Sequence, residues 1–270
     1  MGRGRSRRRQ SSKDVIARLH LPLIEPEDVV RHLGHQERHW KAGHSAHALT
    51  HIWAKENGLP RSIRSILQAH PAFGSAELID GFLERQVDLG SAGRPSQTDL
   101  LAVIGLEKRI AILAIEGKAG EPFGKLVSKW LDGSDTKSER LNALCKTLGL
   151  SAQQALPLRY QLLHRTASAV YEAKRYRTDL AGMLVHNFAT EQPGYLDFCA
   201  FAQALGAKES KAGVLLGPFA CDGVSVYLGW VDDPAPVDAS PSAYLTDLHG
   251  YASRLSEWCD RVRAWCDARR

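Results

Sequence analysis

Two carboxylates and one amine in this sequence have the types and spacing that phosphodiester chemistry requires. Asp99 is followed, seventeen positions later, by Glu116-Gly117-Lys118. Mg²⁺ usually takes one or two carboxylates from a protein, together with water and substrate phosphate. The bound ion polarises a phosphoryl oxygen and activates water, while a lysine can orient that water or offset transition-state charge. Asp99 and Glu116 are therefore candidate metal ligands, and Lys118 is a candidate catalytic residue.

The segment between these residues predicts a β-hairpin that would position them. Apolar runs at 100–104 and 110–115 flank a polar turn that contains glycine. Alternation along a strand places Glu116 and Lys118 on one face, about 7 Å apart, and a neighbouring strand can bring Asp99 beside them. The alternative is that Glu116 and Lys118 form a solvent-facing ion pair that contributes little.

These segments resemble the motif of the PD-(D/E)XK nuclease-like superfamily. In that motif an acidic residue opens one strand, and Glu/Asp-x-Lys ends the next. The matching segments are residues 95–99 (Pro-Ser-Gln-Thr-Asp) and 116–118 (Glu-Gly-Lys). The departure is that Pro95 does not directly precede Asp99. The resemblance covers roughly residues 78–188.

The resemblance implies a restriction-endonuclease-like core that cleaves DNA. It implies Mg²⁺ or Mn²⁺ held by Asp99 and Glu116, with Lys118 as the catalytic lysine. Many members of the superfamily carry a further glutamate on a preceding helix. Glu77 or Glu84 could take that role, and no motif around either residue decides between them; Glu84 is kept among the site candidates.

The helix predicted at 158–176 should lie near the hairpin, and helices after the lysine strand often line the cleft in the resembling superfamily. Gln161, His164 and Arg165 share one face of this helix, and they are candidates to support the site or contact substrate. The alternative is that they serve solvation or packing. Residues 159–166, with 39–46, also look similar to a bacterial family without an assigned function, which bears on the fold more than on an activity.

The charge of the chain is concentrated at its start. Six of its 35 basic residues lie within positions 1–13, and without them 29 basic residues remain against 30 acidic ones. These six are Arg3, Arg5, Arg7, Arg8, Arg9 and Lys13. A block of like charge at a terminus is usually disordered and can bind nucleic acid through counterion release. The alternative is an incidental extension.

The five cysteines are widely spaced and form no Cys-x-x-Cys pair, which favours a reducing compartment and disfavours a structural zinc site. They are Cys145, Cys199, Cys221, Cys259 and Cys266. The arginine-rich start lacks the apolar segment of a signal peptide, and no apolar run approaches the length of a membrane span. We therefore expect a cytoplasmic protein that does not bind membranes.

The predicted fold class is α/β, with a core sheet flanked by helices. Its expected parts are a disordered tail (1–13), a helical N-terminal region (14–75), a nuclease-like core (76–232), and a linker with a long amphipathic helix (233–270). Helices are predicted at 45–56, 62–69, 125–131, 138–148, 158–176 and 195–205, and strands at 181–188, 212–216 and 224–230. The segment 76–89 could be helix or strand.

The last predicted helix carries apolar residues at alternating intervals of three and four. They are Tyr244, Leu248, Tyr251, Leu255, Trp258, Val262 and Trp265. This pattern can join two chains as a homodimer or pack on the helix's own domain, and its aromatic content favours the second.

Six of the eleven histidines lie within positions 32–51, and the pairs His35/His39 and His47/His51 have i,i+4 spacing that would suit a transition metal. The alternative is that they are polar positions on exposed helix faces. No phosphate-binding loop, dinucleotide motif or nucleophile elbow is present.

The sequence therefore favours a metal-dependent nuclease. Its rival is a non-catalytic protein of the same fold that binds nucleic acid or assembles with partners.

Overall fold

The structure is a computed structural model, and it describes residues 19–20, 44–56, 58–91, 93–192 and 194–235. The chain divides after Ala235 into two units, and the second, 236–270, lies outside the described residues. The arginine-rich segment 1–13, the predicted C-terminal helix with its dimer pattern, and the histidine pair His35/His39 therefore fall outside the described residues.

The described residues form one mixed sheet with helices on both faces, which confirms the α/β class. The strands are β1 (Leu19–His20), β2 (Glu77–Val87), β3 (Ser96–Gly105), β4 (Ile110–Lys118), β5 (Leu180–Asn187), β6 (Leu216–Cys221) and β7 (Val224–Asp232). The helices are α1 (Ser45–Lys55), α2 (Arg61–Gln68), α3 (Val127–Trp130), α4 (Asp135–Leu148), α5 (Ala152–Ala155), α6 (Tyr160–Arg175) and α7 (Tyr195–Ala204), with a 3₁₀ helix at Pro71–Phe73.

The strand order is β1-β2-β3-β4-β5-β7-β6. Strands β2, β3 and β4 form an antiparallel meander, while β5 runs parallel to β4 and β7 runs parallel to β5. The predicted hairpin is confirmed as β3 and β4, paired from Gly105–Ile110 to Leu100–Ile115. The ambiguous segment 76–89 contains strand β2, not a helix.

Three predictions about secondary structure differ from the structure in the bounds or the content of the segment. The strand expected at 212–216 begins only at Leu216, because Gly213 adopts a left-handed φ of 74° in a turn that precedes β6. The helix expected at 125–131 is the single turn α3, because the backbone is extended at both of its caps, Leu126 and Leu131. In the region expected to be helical, β1 pairs in parallel with β2 and extends the sheet.

The sheet separates two apolar cores. On one face, α1 and α2 contribute Leu49, Trp53 and Ile63 to a core with Leu113 of β4. On the other face, α4 and α6 pack against Ile112 and its neighbours. Consecutive residues of β4 point to opposite faces, and therefore Glu116 and Lys118 share the face covered by α6.

A buried polar cluster attaches α1 and α2 to the sheet. We call Trp53, Ser62, His186 and Asp233 the His186 cluster. Trp53 Nε1 donates to His186 Nδ1 over 3.3 Å, His186 Nε2 lies 2.8 Å from Asp233 Oδ2, and Ser62 Oγ donates to the same carboxylate oxygen. Indole nitrogen is only a donor, which places the imidazole proton on Nε2. Burial lowers the pKa of His186 despite Asp233.

Candidate functional site

The site lies where β3 and β4 separate at the open end of the hairpin. Their paired register ends at Leu100–Ile115, so that Asp99 and Glu116 occupy the next opposed positions. There the backbone N–H of Gly117 donates to Asp99 Oδ2 over 2.9 Å. The Asp99 carboxylate thus accepts a hydrogen bond from the backbone of the neighbouring strand. Both carboxyl groups line one cavity at the opening between the strands.

Glu116 and Lys118 lie on the same face of β4, as alternation predicted. Lys118 Nζ donates to Glu116 Oε1 over 2.6 Å, and both side chains are almost fully buried. Lys118 Nζ also lies 5.0 Å from the centre of the Phe123 ring. This is a buried and hydrogen-bonded ion pair, unlike the solvent-facing pair considered as the alternative.

Gly117 allows helix α1 to approach β4 from the opposite face. A Cβ at this position would lie 3.3 Å from Ser45 Cβ and 3.4 Å from Ser45 O. The small residue between Glu116 and Lys118 therefore serves the packing of α1, while its two neighbours face the cavity.

Helix α6 supplies two side chains to Glu116 from one turn of the helix. Gln161 Nε2 donates to Glu116 Oε1 over 2.5 Å, and Gln161 Oε1 accepts from Lys118 Nζ over 3.2 Å. Arg165 Nε donates to Glu116 Oε2 over 2.5 Å, and a second nitrogen of the same guanidinium lies 3.4 Å from Asp99 Oδ1. Arg165 therefore bridges the two predicted metal ligands.

His164 lies between the site and a neighbouring cavity. Its Nδ1 is 2.9 Å from Ser96 Oγ, which also accepts from Arg165 over 3.1 Å. Burial and the adjacent Arg165 hold the pKa of His164 well below its usual value. The imidazole is therefore neutral at pH 7, and His164 supports the position of Arg165 through Ser96.

Glu84 joins the site from strand β2, not from a preceding helix. The register of β2 and β3 places it opposite Asp99. Its backbone φ is 51°, a left-handed conformation that is costly for a residue with a Cβ. Gln97 Nε2 donates to its carboxylate over 2.7 Å. Glu77, the other glutamate considered, lies at the far end of β2 opposite Gly105.

We call Glu84, Asp99, Glu116, Lys118, Gln161 and Arg165 the carboxylate cluster. Burial, with the nearby Asp99, raises the pKa of Glu84 to about 8. Burial, with the nearby Glu116, raises the pKa of Asp99 to about 7. Burial opposes ionisation of Glu116 too, but Arg165 and Lys118 outweigh it and lower the pKa of that carboxyl to about 2. Thus two of the three carboxyl groups lack enough positive charge to ionise readily.

The cluster opens into a cavity of about 600 Å³, which we call the acidic cavity. Beyond the carboxylate cluster its lining includes Ser45, Glu121, Phe123, Trp130 and Tyr160. Sequence reasoning missed these residues, since they come from loops and from helix termini whose positions depend on packing. Among them, only Phe123 could have been suspected from the sequence, because it follows closely after the strand that carries Lys118.

The donor set of the site fits a hard divalent cation. Asp99 and Glu116 provide carboxylate oxygens, which Mg²⁺ and Mn²⁺ prefer, and the raised pKa of Asp99 reports negative charge that the protein leaves unbalanced. Within the described ranges, no group of three or more His, Cys, Asp or Glu side chains is arranged to hold a metal ion. Two carboxylates are nevertheless a usual protein contribution to a Mg²⁺ site.

The described part of the histidine-rich segment lies on α1. The rings of His47 and His51 are 4.2 Å apart between centroids, which agrees with their i,i+4 spacing on one helix face. They do not belong to the carboxylate cluster.

Comparison with known families identifies residues 22–235 as a match to the model described as Domain of unknown function (DUF6946). The chain belongs to that family, in agreement with the resemblance to an uncharacterised family. No curated protein and no solved structure shows significant similarity to the chain. In the portion that the structure describes, none of the helices has the length and apolar character to cross a bilayer.

Proposed function

We propose that this member of a family of unknown function is a Mg²⁺- or Mn²⁺-dependent phosphodiesterase that cleaves DNA. The observation that carries the proposal is the convergence of Asp99, Glu116 and Lys118 at the opening between β3 and β4, in a cavity large enough for a nucleotide. The order of helices, hairpin, helices and strand also agrees with the resemblance to the PD-(D/E)XK superfamily.

Each residue of the cluster has a role in this proposal. Asp99 and Glu116 would hold the ion, which when bound polarises the phosphoryl oxygen and lowers the pKa of its water. Gln161 and Lys118 both contact Glu116 Oε1, so they fix the orientation of that carboxylate. Lys118 Nζ lies 2.6 Å from Glu116 and lines the same cavity, where it can offset charge on the phosphoryl group.

Glu84 and Arg165 adjust the charge of the site in this proposal. Arg165 neutralises part of the charge of Asp99 and Glu116 while no substrate is present, and its guanidinium can pair with a phosphate through a planar fork of donors. Glu84 has a raised pKa of about 8 and can hold a proton at neutral pH beside the substrate.

The test is a calorimetric titration with Mn²⁺, followed by incubation with plasmid DNA and with single-stranded DNA in the same buffer with metal. We expect stoichiometric Mn²⁺ binding by the wild type and none by Asp99→Asn. We also expect Asp99→Asn and Lys118→Met to lower the rate of DNA nicking by at least about 100-fold. Glu107→Gln and Lys108→Met are matched controls, since both residues are exposed in the turn between β3 and β4. Loss of nicking in these controls would contradict the proposal.

One observation favours a second candidate, a non-catalytic nucleic-acid-binding or interaction module. Arg165 already places a cation between Asp99 and Glu116, and a site neutralised by its own arginine can persist without metal. This candidate requires that millimolar Mn²⁺ fails to bind, that DNA stays intact, and that Asp99→Asn leaves affinity for nucleic acid unchanged. Deletion of residues 1–13 should then lower that affinity and flatten its salt dependence.

A further inference from the structure

A second cavity adjoins the acidic cavity, and among the described residues its lining carries cations without any carboxylate. Its volume is about 530 Å³, and it is lined by Arg94, Lys137 and Arg140 but by no Asp or Glu among the described residues. We call it the basic cavity. The two cavities share five lining residues, Gln97, Trp130, Tyr160, His164 and Arg165. A ligand can therefore extend from one cavity into the other.

Arg140 of α4 is a buried cation that has no carboxylate partner among the residues that the structure describes. Arg140 is only 5% exposed. Its terminal nitrogens donate to the backbone oxygen of Arg94 over 3.1 Å and to Ser91 Oγ over 3.4 Å. Its Nε has no hydrogen-bond partner among the described residues, and none of their carboxylates pairs with it. Buried charges are normally paired, and an unpaired guanidinium in a cavity wall therefore indicates an anionic ligand.

The other cations support the same interpretation. Arg94 is exposed beside Arg140 and lines the same cavity. Lys137 is partly neutralised, because its Nζ lies 2.7 Å from Asp132 Oδ2. Arg165 reaches both cavities, so that positive charge continues from the basic cavity to Asp99 and Glu116.

A row of aromatic rings connects the two cavities. The rings of Trp130 and Tyr160 stack with centroids 3.8 Å apart and planes 10° apart, and the His164 ring lies 4.8 Å from that of Tyr160. All three residues are half-buried and line both cavities. Aromatic side chains beside cations are the usual means by which proteins hold unpaired nucleotides.

We propose that the basic cavity binds a phosphate of single-stranded DNA, with the adjoining nucleobase packed along Trp130 and Tyr160, while the same strand continues into the acidic cavity. Arg140 and Arg94 contact the phosphate. A duplex buries the faces of its bases against each other, so it cannot use the aromatic row without opening. This proposal refines the proposed function by naming its substrate as an unpaired strand, and it can hold even where cleavage does not.

The test measures binding of a labelled oligothymidylate of about ten nucleotides to the full chain by fluorescence anisotropy, in buffer with EDTA and at several salt concentrations. A duplex of the same length is the competitor. The variants are Arg140→Gln, Arg94→Gln and Tyr160→Leu. The control is Arg175→Gln, because Arg175 is exposed at the far end of α6, roughly 22 Å along the helix from Tyr160.

We expect the single strand to bind more tightly than the duplex. Each arginine variant should reduce the slope of log Kd against log salt by about 0.7, the value for one phosphate contact on a single strand. Tyr160→Leu should weaken binding roughly 5- to 100-fold with little change of slope, because it removes the ring against which Trp130 stacks in the aromatic row. Arg175→Gln should behave as the wild type. If Arg140→Gln fails to fold, the exposed Arg94 gives the same slope test.

Two results overturn the inference. One is equal affinity for duplex and single strand, and the other is unchanged slope in both arginine variants. The proposed function fails separately, when metal does not bind or when Asp99→Asn nicks DNA at the wild-type rate. Binding that depends on Arg94 and Tyr160 without any nicking of DNA would support the inference and contradict the proposed nuclease activity. Nicking that depends on Asp99, with no effect of the basic-cavity variants on binding, would support the nuclease activity and contradict the inference.

Discussion

The carboxylate cluster and the His186 cluster are both largely buried, and they lie near the carboxyl ends of β4 and β5 in the same sheet. The protein offsets their charges to different degrees. In the His186 cluster a neutral imidazole bonds an indole on one side and Asp233 on the other. Burial raises the pKa of Asp233, but hydrogen bonds from His186 and Ser62 outweigh it and lower that pKa. In the carboxylate cluster the pKa values of Glu84 and Asp99 are raised instead. The first arrangement stabilises the ionised form of Asp233, whereas the second makes ionisation of Glu84 and Asp99 costly.

Unbalanced charge of this kind is typical of functional sites, because a group matched completely by the protein has little left for a ligand. The left-handed backbone of Glu84 adds to that cost within the same cluster. The comparison therefore teaches that burial and hydrogen bonding alone do not identify a site here. The raised pKa values of Glu84 and Asp99 distinguish the carboxylate cluster, while Glu116 within it has a lowered pKa, as Asp233 has.

The two clusters also give stability opposite dependences on pH. A carboxyl group with a raised pKa binds its proton more tightly in the folded state, so its contribution is largest at low pH and is lost as pH rises. For Glu84 that loss spans pH 4.5 to about 8. A histidine with a lowered pKa behaves oppositely, since the unfolded state gains a proton first. The contribution of His186 is lost as pH falls below 6.5.

Removal of Arg165 should break the carboxylate cluster with the largest effect. Arg165→Met leaves Glu116 and Asp99 without the guanidinium that bridges them, and we expect a loss of about 3 to 5 kcal/mol in the free energy of unfolding at pH 7. Chemical denaturation measures it. Addition of millimolar Mn²⁺ should restore part of the loss, because the two carboxylates then hold a different cation.

The control is Arg175→Met on the same helix, whose ion pair with Glu172 involves a guanidinium that is 65% exposed. It should cost less than about 1 kcal/mol. If Mn²⁺ does not stabilise Arg165→Met, Asp99 and Glu116 do not form a cation site, and the non-catalytic candidate is favoured.

Removal of His186 should break the other cluster with the next largest effect. His186→Ala leaves a cavity, and it deprives the Trp53 indole N–H and the Asp233 carboxylate of their partner. We expect a loss of about 2 to 4 kcal/mol by denaturant titration. Mn²⁺ binding by the folded fraction should stay unchanged. His186→Gln retains a donor and an acceptor and should lose less; an equal loss in both variants would mean that the hydrogen bonds are unimportant.

The sequence predicted the half of the site that depends on local geometry. Asp99, Glu116 and Lys118 come together because a hairpin register and strand alternation act over a few residues, and both were visible in the sequence. The position of Glu84 was not predictable to the same degree. It depends on a strand that could equally have been a helix, and on a left-handed backbone at a residue that is not glycine.

The remaining features depend on packing between distant elements. The sequence placed Arg165 on the correct face of α6. Whether its guanidinium reaches both carboxylates depends on how deeply Leu163 and Ala167 of the same helix pack into the core. The His186 cluster joins Trp53 to a residue 133 positions away, and no local pattern marks such a contact. Arg140 has the appearance of an exposed helix residue in the sequence, whereas a loop covers it in the fold.

The last expected effect has the opposite sign and sharpens the comparison. Glu84→Gln keeps an oxygen for Gln97 and removes the ionisable group, and therefore the variant should be more stable than the wild type at pH 8. The gain arises because each pKa unit by which the folded state raises Glu84 corresponds to about 1.4 kcal/mol of differential stability. Stability should also decline less between pH 5 and about 8 than in the wild type.

Denaturant titrations of both proteins across this pH range measure the difference. Glu77→Gln is the matched control, because Glu77 lies on the same strand but is exposed at its far end; it should follow the wild-type curve. A Glu84→Gln protein that is less stable than the wild type at pH 8 would mean that the carboxylate contributes to the fold as Asp233 does. The distinction between the two clusters would then not hold at this position, and the negative charge of the site would rest on Asp99 and Glu116 alone.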